Sequence, residues 1–81
     1  MYVRHEVNQR LKKIRGKNRE KIFRFIESLI NDPFQSGDDI EIDRSGREYQ
    51  VKIIGKYALY YWADHPAKEV KVVDLIDADK Y

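Results

Sequence analysis

Lys52, Tyr60 and Trp62 are the residues whose types and spacing most suggest chemistry. They fall in two neighbouring segments of alternating character, Tyr49-Gln50-Val51-Lys52-Ile53 and Tyr57-Ala58-Leu59-Tyr60-Tyr61-Trp62. A lysine ammonium can neutralise a phosphate, and aromatic rings stack nucleobases at roughly 1–3 kcal/mol per base. The same rings equally suit an apolar segment of a protein partner, where aromatic side chains are the usual anchors. Both readings stand at this level. A second set is electrostatic: Lys12, Lys13, Arg15, Lys17, Arg19 and Lys21 fall within ten residues and could contact RNA phosphates without reading sequence. The same run is also what the wet side of two helices looks like. Residues 1–24 carry nine Lys/Arg against Glu6 and Glu20, a balance of +7, whereas the rest of the chain sums to −5. Such a polarised molecule suits a polyanion at one end and a basic or mixed partner elsewhere.

Other chemistries lack their residues. Without cysteine there is no disulfide framework and no thiolate metal site. His5 and His65 are not at metal-ligand spacing, and no third histidine completes a set. Asp38, Asp39, Glu41 and Asp43 alternate with Ile40 and Ile42 and do not form a calcium loop, so they read as solvated strand charge. No Gly-rich phosphate loop, nucleophile elbow or hydrolytic carboxylate pair occurs. The expectation is a protein without metal or cofactor.

The elements that must position these residues follow from periodicity. Val7, Leu11 and Ile14 recur at helical spacing until Gly16 interrupts them, which predicts a first amphipathic helix near 6–15. Ile22, Phe25, Ile26, Leu29 and Ile30 form a broad apolar stripe, predicting a second helix over 18–31. Asn18 is its expected N-cap, Glu20 suits the first turn, and Asn31-Asp32-Pro33 ends it. The two helices form a hairpin with a tight link at Gly16-Lys17. Beyond Gly37 the period becomes two, first in Ile40 and Ile42, then in Tyr49, Val51 and Ile53. Turn signals at Arg44–Arg47, Gly55-Lys56 and Asp64–Ala67 divide this region into a four-strand meander, and Met1–Arg4 could add an edge strand.

The predicted architecture is α+β in two layers: two N-terminal helices on one face of a mainly antiparallel sheet of four to five strands, in one domain covering 1–81. If Val51, Ile53, Leu59 and Tyr61 pack against the helices, Lys52, Tyr60 and Trp62 share the open face. No window approaches the eighteen or more apolar residues of a membrane span, and Met-Tyr-Val-Arg-His lacks the layout of a signal peptide, so a soluble cytoplasmic protein is expected.

From Val7 to Tyr81 the chain resembles the RelE/ParE toxin superfamily. Val7-Asn8-Gln9-Arg10-Leu11-Lys12-Lys13-Ile14 is similar to that family's first helix, and Ile26-Glu27-Ser28-Leu29-Ile30-Asn31-Asp32-Pro33 to the end of its second. Tyr49-Gln50-Val51-Lys52-Ile53, then Gly55-Lys56-Tyr57-Ala58-Leu59-Tyr60-Tyr61, resembles its strand signature. Val70–Leu75 and Tyr81 resemble the last strand and the tyrosine near its end. The resemblance implies the toxin half of a type II toxin–antitoxin pair, with a cognate antitoxin as partner. Its ribonuclease members cut mRNA in the ribosomal A site, and its ParE branch inhibits DNA gyrase.

By the same resemblance Lys52 and Tyr81 are the candidate catalytic residues, Tyr81 for acid–base work or stacking. Where ribonuclease members tend to place cations on the concave sheet face, however, this chain has Gln50 and Ala58. Asp74, Asp77 and Asp79 stand where the family has a basic stretch. Phosphoryl transfer needs cations aimed at the developing charge on the scissile phosphate, so these departures raise the barrier to mRNA cleavage. The expectation is a toxin-like protein that binds its antitoxin and could act as a ribosome-dependent mRNA endonuclease. The alternatives are an interaction module that kept the fold while losing the chemistry and a gyrase inhibitor. Arg47 and Lys56 are the residues that could stand in for the missing cations.

Overall fold

The computed structural model describes all 81 residues. The chain runs β1 (Tyr2–Val3), α1 (His5–Leu11), α2 (Gly16–Asn31), β2 (Asp39–Ile42), β3 (Glu48–Ile54), β4 (Tyr57–Asp64) and β5 (Glu69–Asp77), with a short 3-10 turn at Ala78–Lys80. The strands form one mixed sheet in the order β1-β5-β4-β3-β2. The meander from β2 to β5 is antiparallel throughout, and β1 joins its edge in parallel, Tyr2 beside Lys71 and Val3 beside Val72. No helix is long and apolar enough to cross a membrane.

The helical region departs from the sequence expectation at the link. Instead of reaching residue 15, α1 stops at Leu11, and the chain tightens into i→i−3 bonds, Lys13 N–H to Arg10 carbonyl (3.0 Å) and Ile14 N–H to Leu11 carbonyl (3.2 Å). Gly16 then reverses direction with φ +71°, a conformation open to glycine, and α2 starts there. The link is therefore Lys12–Arg15, and Arg15, not Asn18, occupies the N-cap position. Asn18 lies inside the first turn and abuts the β3–β4 turn, where a side chain on Gly55 (φ +58°) would collide with its Oδ1. Ile14 is still buried, because the tight turn keeps it on the side of Leu11.

Burial joins both parts of the chain. Val7, Leu11, Ile14, Ile22, Ile26 and Leu29 from the helical half form one cluster with Ile54, Leu59, Tyr61, Val70, Val72 and Leu75 from the strands. Fully burying an aliphatic side chain stabilises by about 1.5–3 kcal/mol, so this cluster is the main force holding the chain together. In β5 the register jumps from Tyr61 opposite Val72 to Tyr60 opposite Asp74, leaving Val73 as the extra residue of a bulge. That bulge lets Val70, Val72 and Leu75 all enter the core although their spacing is not uniformly two.

The register of β3 against β4 overturns one expectation with consequences for function. Ile54 pairs with Tyr57 across the two-residue turn Gly55-Lys56, so Lys52 lies opposite Leu59 and Gln50 opposite Tyr61. Residues directly opposite one another in an antiparallel pair share a face. Gln50, Lys52 and Ile54 therefore belong to the face of Leu59 and Tyr61, which is the core face. Val51 and Ile53 belong to the other, with Ala58, Tyr60 and Trp62. Val51 is buried there, but Ile53 is 37% exposed and neither joins the core cluster.

Candidate functional site

Lys52 is positioned by β3 at the margin of the core face. Its Nζ lies 5.7 Å from the centroid of the Phe25 ring of α2 and 3.4 Å from Asp38 Oδ1. The other oxygen of Asp38 accepts the Ile53 N–H at 2.8 Å, and this bond, with the Lys52 charge, holds the carboxyl below its ordinary value. Tyr81 is on the opposite side of the sheet. Its ring meets the edge of Tyr60 at 6.4 Å between centroids, and its hydroxyl donates to Asp39 Oδ2. The two residues that the family resemblance nominates for catalysis thus point away from each other. The expected grouping of Lys52 with Tyr60 and Trp62 fails for the same reason: the two-residue turn sets even positions of β3 against odd positions of β4.

The open face has its own constellation. The Arg47 guanidinium stacks on the Trp62 ring at 4.0 Å, and Lys71 approaches the same ring at 5.3 Å while pairing with Asp64 at 3.1 Å. Next to them a cavity of about 310 Å³ is lined by Glu41, Asp43, Tyr49, Tyr60 and Asp74, among others. Burial is the first cause pushing the Tyr60 phenol up to about 12, followed by the neighbouring Glu41 carboxylate and the charges of Asp74 and Asp39. A phenol in this setting stays neutral. Arg4 also lines the cavity and is held by Glu6 at 3.1 Å, so the face offers rings and carboxylates while its cations are engaged by Glu6 and on Trp62.

One of these carboxylates organises the β2–β3 turn. Asp43 Oδ1 accepts from the Ser45 N–H (2.8 Å), the Ser45 hydroxyl (2.6 Å) and the Arg47 N–H (3.1 Å), and Oδ2 accepts from the Tyr49 hydroxyl (2.9 Å). The Ser45 and Tyr49 hydroxyl bonds are the main causes that lower its carboxyl to about 2. A depressed folded-state value means the turn gains stability above the ordinary 3.8 and loses it as pH falls through about 2. The amide protons of Ser45 and Arg47 should therefore keep their exchange protection between those values and lose it below them, which amide exchange followed by NMR in acid will read. Asp43→Asn should remove that step.

The basic residues gather at the other end. Lys12, Lys13, Arg15, Lys17 and Lys21 are exposed and make no ion pair, and Arg19 lies over the Phe23 ring at 5.2 Å, also unpaired. By contrast Arg4, Arg10 and Arg24 are each taken up by a carboxylate, Glu6, Asp77 and Glu20. The contact of Gly55 with Asn18 brings Lys56 to the same pole.

Comparison with protein-family models, with curated proteins and with solved structures finds no match to this chain. Of the residues nominated from sequence, Tyr60, Trp62, Tyr81 and Arg47 come together on the open face. Lys12, Lys13, Arg15, Lys17, Arg19, Lys21 and Lys56 make up the basic pole, and Lys52 belongs to neither. His65 stacks on Phe34 at 4.7 Å with rings 5° from parallel, tying the β4–β5 turn to the loop after α2. Sequence reasoning missed Glu41, Asp43, Tyr49 and Asp74 as neighbours of Tyr60. The signal that could have found Tyr49 is the length of the Gly55-Lys56 turn, since a two-residue loop fixes which residues face each other.

Proposed function

We propose that the protein is a RelE/ParE-like, toxin-side member of a toxin–antitoxin pair that acts by binding and not by cutting RNA. Helices of the α1–α2 hairpin packed on one face of the sheet, as in that family, are part of this reading. Its class rests on the resemblance of the helix and strand segments. Its mode of action rests on one observation: Lys52 and Tyr81 lie on opposite faces of the sheet, each engaged by a carboxylate, Asp38 and Asp39. Cleavage of a phosphodiester needs donors and cations converging on one phosphate. Around Tyr81 a phosphate would meet Asp39, Glu41 and Asp74 instead, and like charges at a few ångströms repel it. The open face is thus suited to a protein partner, the cognate antitoxin, while the unpaired cations of the basic pole supply sequence-independent contacts to a polyanion such as rRNA.

The test is induced expression in a bacterial host without a partner gene, following growth and mapping mRNA ends in translating ribosomes. The expected result is normal growth, no new mRNA ends, and co-purification with the product of an adjacent antitoxin-like gene when the two are expressed together. Growth arrest with new cleavage sites, both abolished by Lys52→Ala with Tyr81→Ala, would overturn the non-catalytic reading.

A further inference from the structure

The strand β2 forms one edge of the sheet, paired with β3 on one side and with nothing on the other. Its phase is set at the turn. Asp43 N–H donates to the Arg47 carbonyl at 3.0 Å, and the pairs 41–49 and 39–51 follow in the same register. In an antiparallel ladder hydrogen-bonded positions alternate, so Ile40 and Ile42 aim their backbone groups at the free edge. The Ile40 N–H is taken by the Asp39 carboxylate at 2.8 Å, in keeping with this phase. The Ile42 N–H and the carbonyls of Ile40 and Ile42 remain open to an incoming strand.

The side chains of β2 divide as sharply. Asp39 and Glu41 lie opposite Val51 and Tyr49, on the open face with Tyr60. Ile40 and Ile42 lie opposite Gln50 and Glu48, at the rim of the core face, and are 50% and 65% exposed. Natural edges are blunted by shortness, charge, proline or a bulge; β2 is short and charged, but it has no proline or lysine and its charges are all acidic. What it has is an alternation of carboxylate and isoleucine, which discriminates between occupants. Antiparallel pairing with a second copy about a twofold axis would keep the faces aligned. It would set Asp39 and Glu41 of one copy opposite Glu41 and Asp39 of the other, and like charges directly opposite are destabilising.

We infer that β2 is a strand-addition site for another protein's extended segment, one in which lysine or arginine alternates with apolar residues. The apolar side chains of that segment cover Ile40 and Ile42. Its basic side chains pair with Asp39 and Glu41 beside the cavity that also holds Asp43 and Asp74, whose two arginines, Arg4 and Arg47, are already occupied by Glu6 and Trp62. The backbone bonds to Ile40 and Ile42 give affinity, and the alternation gives selectivity. Strand addition here deepens the binding reading proposed for this protein and rests on it.

The test uses the whole chain, isotopically labelled, with two synthetic octapeptides, one alternating Lys and Val and one alternating Glu and Val. The expected result is binding of the Lys-Val peptide at least about tenfold tighter than the Glu-Val peptide, with amide shifts and new exchange protection centred on Ile42. Glu41→Lys together with Asp39→Lys should invert that preference, and circular dichroism of the variant checks that the fold is kept. Equal affinity for the two peptides, perturbations confined to the basic pole, or a concentration-dependent dimer in sedimentation through β2 would each overturn it. If an adjacent-gene product still co-purifies while Ile42 stays unprotected, strand addition fails and the binding reading survives. A nuclease result in the expression test would overturn the binding reading without touching the peptide result.

Discussion

Tyr61→Ala is expected to lower stability by about 4 kcal/mol and the thermal midpoint by about 20 °C, a large effect for one substitution. Tyr61 is 1% exposed, its ring lies 5.5 Å from that of Phe25, and it belongs to the cluster that joins the helical half to the strands. Truncation removes the transfer energy of the ring and leaves a cavity that neighbours on β3, β4 and α2 cannot close without moving. Its hydroxyl also donates to the Gln35 carbonyl at 3.0 Å, fastening the loop after α2 to the sheet. Tyr61→Phe keeps the volume and loses that bond, so it should cost about 1 kcal/mol. Denaturant unfolding of both variants separates the terms. An alanine variant within about 1 kcal/mol of the parent would mean that this cluster is not what holds the halves together.

The second large effect concerns the basic pole. Replacing Lys12, Lys13, Arg15, Lys17 and Lys21 by glutamine should abolish measurable binding to duplex RNA at physiological salt and leave the fold untouched. None of the five makes an ion pair, and all are exposed, so the folded state loses no partner when they go. For the parent, neutralising five to six phosphates gives a log–log salt slope near −5, which is about a 10³-fold loss of affinity between roughly 50 and 200 mM salt. Filter binding or fluorescence anisotropy over that range measures both the slope and its loss in the variant. A parent whose affinity is flat in salt would reduce the cluster to a solvated helix surface.

The acidic open face and the basic pole lie apart, so the two proposed binding modes would not compete. A phosphate would be drawn to one end of the molecule by unpaired cations and would meet Glu41, Asp43 and Asp74 near the rings, where Arg4 and Arg47 are already engaged by Glu6 and Trp62. A basic peptide experiences the reverse. The polarity of the chain, +7 before residue 25 and −5 after it, is thus carried into space by the fold.

Much of the architecture is legible in the order of the residues. The stripe Ile22, Phe25, Ile26, Leu29 and Ile30 specifies a helix because only a period of 3.6 gathers those side chains on one side, although Ile30, at the end of the helix, is 67% exposed and does not join the core. The switch to alternation after Gly37 specifies strands, and the short turns between them leave no topology but a meander. The basic cluster is legible too, since six cations within ten residues stay close however that stretch folds. End points are less so. Helix α1 ends four residues early and α2 starts two residues early, because Gly16 can take a left-handed turn that periodicity does not register.

What the sequence by itself determined is therefore the class of fold, the position of the core helices and strands, and the charge polarity. These depend on local periodicity and composition, which neighbours in the chain decide among themselves. The tertiary structure alone decided which face each strand residue occupies relative to the next strand. Alternation within β3 is symmetric between its two faces, and one residue of register exchanges them. The Ile54–Tyr57 pairing made that choice. It put Lys52 beside Phe25 and Asp38, left Tyr60 and Tyr81 among carboxylates on the other side, and so separated the two residues on which a nuclease mechanism would depend.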